Sequence, residues 1–132
     1  MTGESVFHKV KQIIVINDAL KMSKQKCVFL AGKASVGAFS EAHSDIKKSW
    51  LYEARPKLIL NAFDESDLLD LFSKAQRRRL PVYPIMDSGH VNASTIACLG
   101  IGPGKNAEMD ELLGVLNFYR WVHENATYAR LP

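Results

Sequence analysis

Cysteine is scarce, long apolar runs are missing and no unit repeats, and each of these shortages removes a class of protein. The two cysteines, Cys27 and Cys98, lie in apolar surroundings with no partner spacing. They are expected to be reduced packing residues, neither a disulfide nor half of a metal pair. The four histidines, His8, His43, His90 and His123, are scattered without metal-ligand spacing, so no metal and no other cofactor is expected. No Ser-His-Asp or Cys-His set is evident, which leaves a covalent route with little support. No apolar stretch approaches the length that spans a bilayer, and a membrane partner is not expected. The opening MTGESVFHKV has no long apolar segment, so the chain is expected to stay in the cytoplasm. Gly100-Ile101-Gly102-Pro103-Gly104 lacks the spacing of a dinucleotide loop, and Pro103 removes an N–H that a phosphate would need.

What is present is an ordinary globular composition, 47% apolar and 23% charged over 132 residues, with a net charge of +3. That is one domain with a real core, and a charge that permits an acidic partner such as RNA without requiring one. The most informative stretch is Lys11 to Lys26. Ile13 to Ile16 reads as a buried strand, Asn17-Asp18 breaks it, and Ser23 opens a helix beginning with Cys27, Val28, Phe29, Leu30 and Ala31. Lys21, Lys24 and Lys26 gather at that junction. Cations at a helix N-terminus oppose the macrodipole by roughly 0.3–1 kcal/mol each. A turn built this way suits an anion, most commonly a phosphate.

The rest of the chain alternates in the same manner. The first helix carries small residues (Ala31, Gly32, Ala34, Ser35, Gly37, Ala38), as a helix packed closely on a sheet would. A polar break at His43-Ser44-Asp45 and an amphipathic segment, Ile46 to Glu53, lead to a strand over Leu58–Phe63. Asp64 to Asp67 is a helix start with acids in its first turn, and Leu68, Leu71, Phe72 and Ala75 recur at helical spacing. Arg77-Arg78-Arg79 closes that helix, where cations satisfy the dipole and need no nucleic acid to explain them. Val82 to Met86 is a strand whose Pro84 calls for an edge position or a bulge. Asp87-Ser88-Gly89 turns the chain into a strand over Ser94–Ile101. Strict alternation puts Thr95, Ala97, Leu99 and Ile101 on one face, and Ile96, Cys98 and Gly100 on the other. Gly102-Pro103-Gly104 is expected to end it before a short helix, Ala107 to Leu113. The order predicts an α/β three-layer sandwich: a four-stranded mixed sheet with helices on both faces.

With these elements in place, the chain resembles a known family. Its LKMSK after the first strand, Leu80-Pro81, Asp-x-Gly at Asp87, GIGP at Gly100–Pro103, and Met109-Asp110 to Gly114-x-Leu116 are similar, in order and spacing, to the type-2 peptidyl-tRNA hydrolases of archaea and eukaryotes. The resemblance implies a domain over residues 11–120, between an extension, 1–10, and a tail, 121–132. It implies hydrolysis of the ester between a nascent peptide and the terminal ribose of tRNA, which recycles tRNA without a metal. The implied partner is peptidyl-tRNA or tRNA, bound by a monomer or homodimer; a member that only binds tRNA or a protein is the alternative. The family's active-site lysine falls on Lys21 and its aspartate on Asp87. From their place at the helix start, not from the resemblance, Lys24 and Lys26 are expected as further tRNA contacts. The chain departs from the family at Gln25 (glycine there), Leu30 (glutamine), Lys33 (histidine) and Ala97 (threonine). Thr95, one pleat before Ala97 and about 7 Å away, is the candidate to replace that threonine.

Overall fold

The computed structural model describes residues 9–87 and 95–114. Strand β1 (Val10–Asn17) runs into a single 3₁₀ turn (Asp18–Leu20), then helices α1 (Lys24–Ser40) and α2 (Ser44–Tyr52). Strand β2 (Lys57–Ala62), helix α3 (Glu65–Arg77), strands β3 (Val82–Met86) and β4 (Ile96–Lys105), and helix α4 (Asn106–Gly114) complete the chain. The sheet order is β2-β1-β4-β3. β1 pairs parallel with β2, while β4 runs antiparallel to both β1 and β3. The sheet is therefore mixed, as expected. Its topology puts the C-terminal ends of β1, β2 and β3 at one end, together with the start of β4.

Local chemistry explains where the helices begin. Ser23 caps α1, its hydroxyl accepting the Lys26 N–H at 3.1 Å, and Asp64 caps α3 through the Asp67 N–H at 3.3 Å. On one face of the sheet, Leu68, Leu71 and Ala75 of α3 and Met109, Leu112 and Leu113 of α4 pack against Ile13, Val15, Leu99 and Ile101. On the other, Leu30 and Ala34 of α1 pack against Ile14, Ile16, Ile85, Ala97 and Cys98. Helices thus cover both faces. The small residues of α1 have the anticipated use at Gly100, where a Cβ would stand 2.4 Å from the Ala34 carbonyl oxygen. Only a glycine lets the helix backbone approach so closely.

Two expectations for β4 need correction. Ile85 pairs with Cys98 but Met86 with Ile96, so Ala97 is the extra residue of a bulge. The alternation breaks there: Ala97 joins Cys98 on the α1 face, while Ile96 falls in with Leu99 and Ile101. Nor does the strand stop at Gly102-Pro103-Gly104; it continues to Lys105. A second irregularity, between Lys11 and Ile13 on β1, absorbs that segment, and Gly102 meets it with φ +91°, a conformation open to glycine. Pro84 pairs with Leu99 in regular register on an edge strand, so of its two anticipated settings the edge position is the one met; the bulge comes after Ile85. No helix among the described residues is long and apolar enough to cross a membrane.

Candidate active site

Asp87 directly follows β3 and is buried, 1% exposed. Its carboxylate Oδ1 accepts a hydrogen bond from Lys26 Nζ at 3.0 Å, and the Asp87 side chain has no exposed surface against 38% for that of Lys26. An ionised carboxylate out of water needs such a partner, because desolvation alone would strongly disfavour its charge. Lys26 belongs to the first turn of α1, so the pair joins the strand-to-helix crossing after β1 to the end of β3.

Lys21 is held differently. Its Nζ lies 3.1 Å from Asp18 Oδ2, with the lysine side chain 77% exposed, and its N–H donates to the Asp18 carbonyl at 3.2 Å. The backbone is left-handed, φ 49° and ψ 49°, at a cost of roughly 1–2 kcal/mol for a residue with a Cβ. Ala54, Arg55 and Arg79 also have positive φ, so strain alone does not mark the site. Lys24 begins α1 and is exposed. Of the three lysines at the junction, it is Lys26 that reaches Asp87, while Lys21 stands outside on a local pair.

Thr95 precedes β4, and its carbonyl accepts the Asp87 N–H at 2.9 Å. Ala97, where the resemblance places the family's threonine, is fully buried in one apolar cluster with Leu30, where it places the family's glutamine. Both expected departures thus lie within one patch of core. Lys33 is exposed on α1, its ammonium 5.3 Å from the centre of the Phe29 ring. The turn residues Ser88 and Gly89, with His8, His90 and His123, lie outside the described residues. His43 is exposed and caps α2, its Nδ1 accepting the Asp45 N–H at 3.4 Å.

Two residues at this end were not singled out from sequence. Asn17 is buried and donates from Nδ2 to the Ile96 carbonyl at 2.8 Å; its Oδ1 accepts the Ala19 N–H at 3.1 Å. Glu65 Oε2 accepts the Ile96 N–H at 2.8 Å. A polar residue directly after an apolar run was the available signal for Asn17. Glu65 gave none, since an acid in a helix's first turn is sufficiently explained by the dipole.

Comparison with known proteins gives the family. Residues 10–119 match the model of the family described as "Peptidyl-tRNA hydrolase PTH2". The chain belongs to this family. A peptidyl-tRNA hydrolase of Methanopyrus kandleri is 37% identical over 114 residues, covering 83% of this chain and 98% of that protein. One from Methanothermobacter thermautotrophicus is 33% identical, covering 81% and 97%. The mouse protein named "Peptidyl-tRNA hydrolase 2, mitochondrial" is 34% identical over 122 residues, covering 89% of this chain and 66% of its own length.

Proposed function

We propose that this chain hydrolyses the ester joining a peptide to the terminal ribose of tRNA, with Asp87 as the catalytic carboxylate. The observation that carries this reading is the buried Asp87 held by Lys26 at the strand C-termini, where open α/β sheets place their ligand crevices, in a chain of this family. Water adds to the acyl carbon while Asp87 orients it and accepts its proton. The acyl carbon–oxygen bond then breaks, Asp87 returns that proton to the departing ribose oxygen, and the new carboxylic acid gives its remaining proton to water. The products are a peptide carboxylate and tRNA with a free terminal hydroxyl. Lys26 holds the Asp87 carboxylate in one orientation.

Lys21 takes the tRNA end. An exposed pair such as Lys21–Asp18 is worth only about 0–1 kcal/mol, so a phosphate can displace Asp18 from it. The first amides of α1 and Lys24 add positive potential on the same side. Thr95 supplies its carbonyl to the Asp87 amide, and its hydroxyl is the proposed stand-in for the threonine missing at Ala97. The cytoplasm is the proposed compartment.

Ala97 favours one competing reading. With an apolar, fully buried residue at the family's threonine, a binding-only member would retain the basic turn and lose turnover. Incubation with an N-blocked aminoacyl-tRNA, followed for free tRNA, separates the two. Slow release that disappears in Asp87→Ala is expected. No release by either the natural chain or Ala97→Thr, with tRNA binding retained, would replace the enzyme by the binding module.

A further inference from the structure

Three hydrogen bonds meet where β4 begins, and two of them grip the same peptide group. The Thr95–Ile96 peptide accepts the Asp87 N–H on its carbonyl, at 2.9 Å. It donates its N–H to Glu65 Oε2 on the other side, at 2.8 Å. The next carbonyl, that of Ile96, is taken by Asn17 Nδ2 at 2.8 Å. The Asp87–Thr95 bond continues the antiparallel pairing one step past Met86 and Ile96, but the two side-chain bonds are not part of the ladder. Ile96 adjoins the Ala97 bulge, where the β3–β4 register shifts, and side chains from α3 and from the end of β1 occupy its backbone groups.

Resting on the hydrolytic reading above, we infer that Glu65 and Asn17 are positioning residues that fix Asp87 through the backbone of Thr95 and Ile96. A carboxylate is a strong acceptor, and a hydrogen bond to it polarises the peptide whose carbonyl faces Asp87. Glu65 thus strengthens the contact that holds the Asp87 main chain, while Lys26 holds its side chain. Asn17 ties the same node to the turn that carries Lys21, because its Oδ1 accepts the Ala19 N–H. The two candidate groups at this end, Lys21 in the turn after β1 and Asp87 just after β3, are registered to each other through Ile96 of β4. Neither Glu65 nor Asn17 need touch the substrate.

The test compares Glu65→Ala, Glu65→Gln and Asn17→Asp with the natural chain. Gln keeps an oxygen acceptor, whereas Asp keeps the acceptor for Ala19 and loses the donor to Ile96. In Glu65→Ala, kcat should fall roughly ten- to a hundredfold, as a misplaced catalytic group does. KM should stay within about twofold, because binding of the tRNA is untouched. Glu65→Gln should recover most of kcat. Asn17→Asp should lower kcat by about tenfold, and it reads the same node should Glu65→Ala fail to fold. Amide hydrogen exchange supplies a readout independent of turnover: in Glu65→Ala the Asp87 amide should exchange about tenfold faster or more, and in Glu65→Gln it should not. An unchanged kcat, a change in KM alone, or equal loss in Glu65→Gln would overturn the inference. A natural chain that releases no tRNA would overturn the hydrolysis instead. The exchange pattern then decides the clamp by itself, retained protection at Asp87 counting against it and lost protection for it.

Discussion

The two ends of the sheet treat their polar residues in opposite ways. At the far end, where β1 begins and β4 finishes, the buried Gln12 is tied to the carbonyls of Ser35 at 3.0 Å and Gly102 at 3.1 Å. The charges there sit outside: Arg78 pairs with Glu111 at 3.2 Å, and Arg77 bonds Ser73 within α3. A concavity of about 330 Å³ also opens at that end, lined in part by Glu41, His43, Arg79 and Glu108. At the other end, a buried carboxylate is met by a lysine from a different element, and two more side chains hold the backbone beside it. At the far end, charge and a concavity accompany polar groups that close the fold. Convergence on a buried ionisable group is what sets the Asp87 end apart.

The sharpest way to break that contrast is Asp87→Ala. A positioned acid–base group contributes about 10²- to 10⁴-fold, so release of tRNA from an N-blocked aminoacyl-tRNA should fall by at least the lower figure. Survival of more than a tenth of the rate would move the chemistry elsewhere. Lys26→Ala should follow at about ten- to a hundredfold. It should also reduce stability by about 1–3 kcal/mol, because Asp87 loses a charge-assisted bond while remaining buried. If Lys21→Ala costs more turnover than Lys26→Ala, the assignment of roles between the two lysines is reversed.

Local signals carried the fold. Ser23 and Asp64 announce their helices by chemistry confined to one turn, and Pro84 announces an edge strand. The face assignment of β4 failed at Ala97 because a bulge arises from pairing with β3, which periodicity within one strand does not encode. The Lys26–Asp87 pair spans 61 positions and depends on how α1 crosses the sheet. From sequence, Lys26 was therefore only one of three cations at a junction. Asn17 and Glu65 were hidden by adequate local explanations, a strand end and a helix start.

Ala97→Thr probes the layer under the site. A well-placed hydroxyl there should raise release by on the order of tenfold, less than the hundredfold such a donor can be worth, because the position is fully buried among apolar groups. Overpacking should cost about 1–3 kcal/mol, seen as a lower midpoint in denaturant. A slower variant would mean that the apolar layer is part of this chain's own working arrangement.

Cys98, next in that layer, tests whether it stays dry. Burial pushes its thiol up from 9.0 to about 12, with a backbone hydrogen bond partly opposing. The native thiol should therefore resist alkylation at pH 8 while the unfolded chain reacts. Between about pH 9 and about 12 the unfolded chain ionises first and binds fewer protons, so the stability linked to this group is complete below pH 9 and declines above it. Rapid labelling of native Cys98 would show that water enters beneath the site.

The smallest expected effect is at the far end. Arg78 belongs to the most basic run in the chain, yet its partner Glu111 has a side chain 70% exposed, and such a pair is worth about 0–1 kcal/mol. Its helix ends where β3 begins, opposite Asp87. Arg78→Ala should leave turnover unchanged and leave the salt dependence of tRNA binding as it was. Lys21→Ala should reduce the slope of log affinity against log salt by about one unit, the loss of one phosphate contact. Binding measured for both variants across a salt series decides between the ends. If Arg78→Ala loses the slope and Lys21→Ala does not, the arginine run holds the tRNA and the lysines at the α1 start serve only to neutralise the carboxylates beside them.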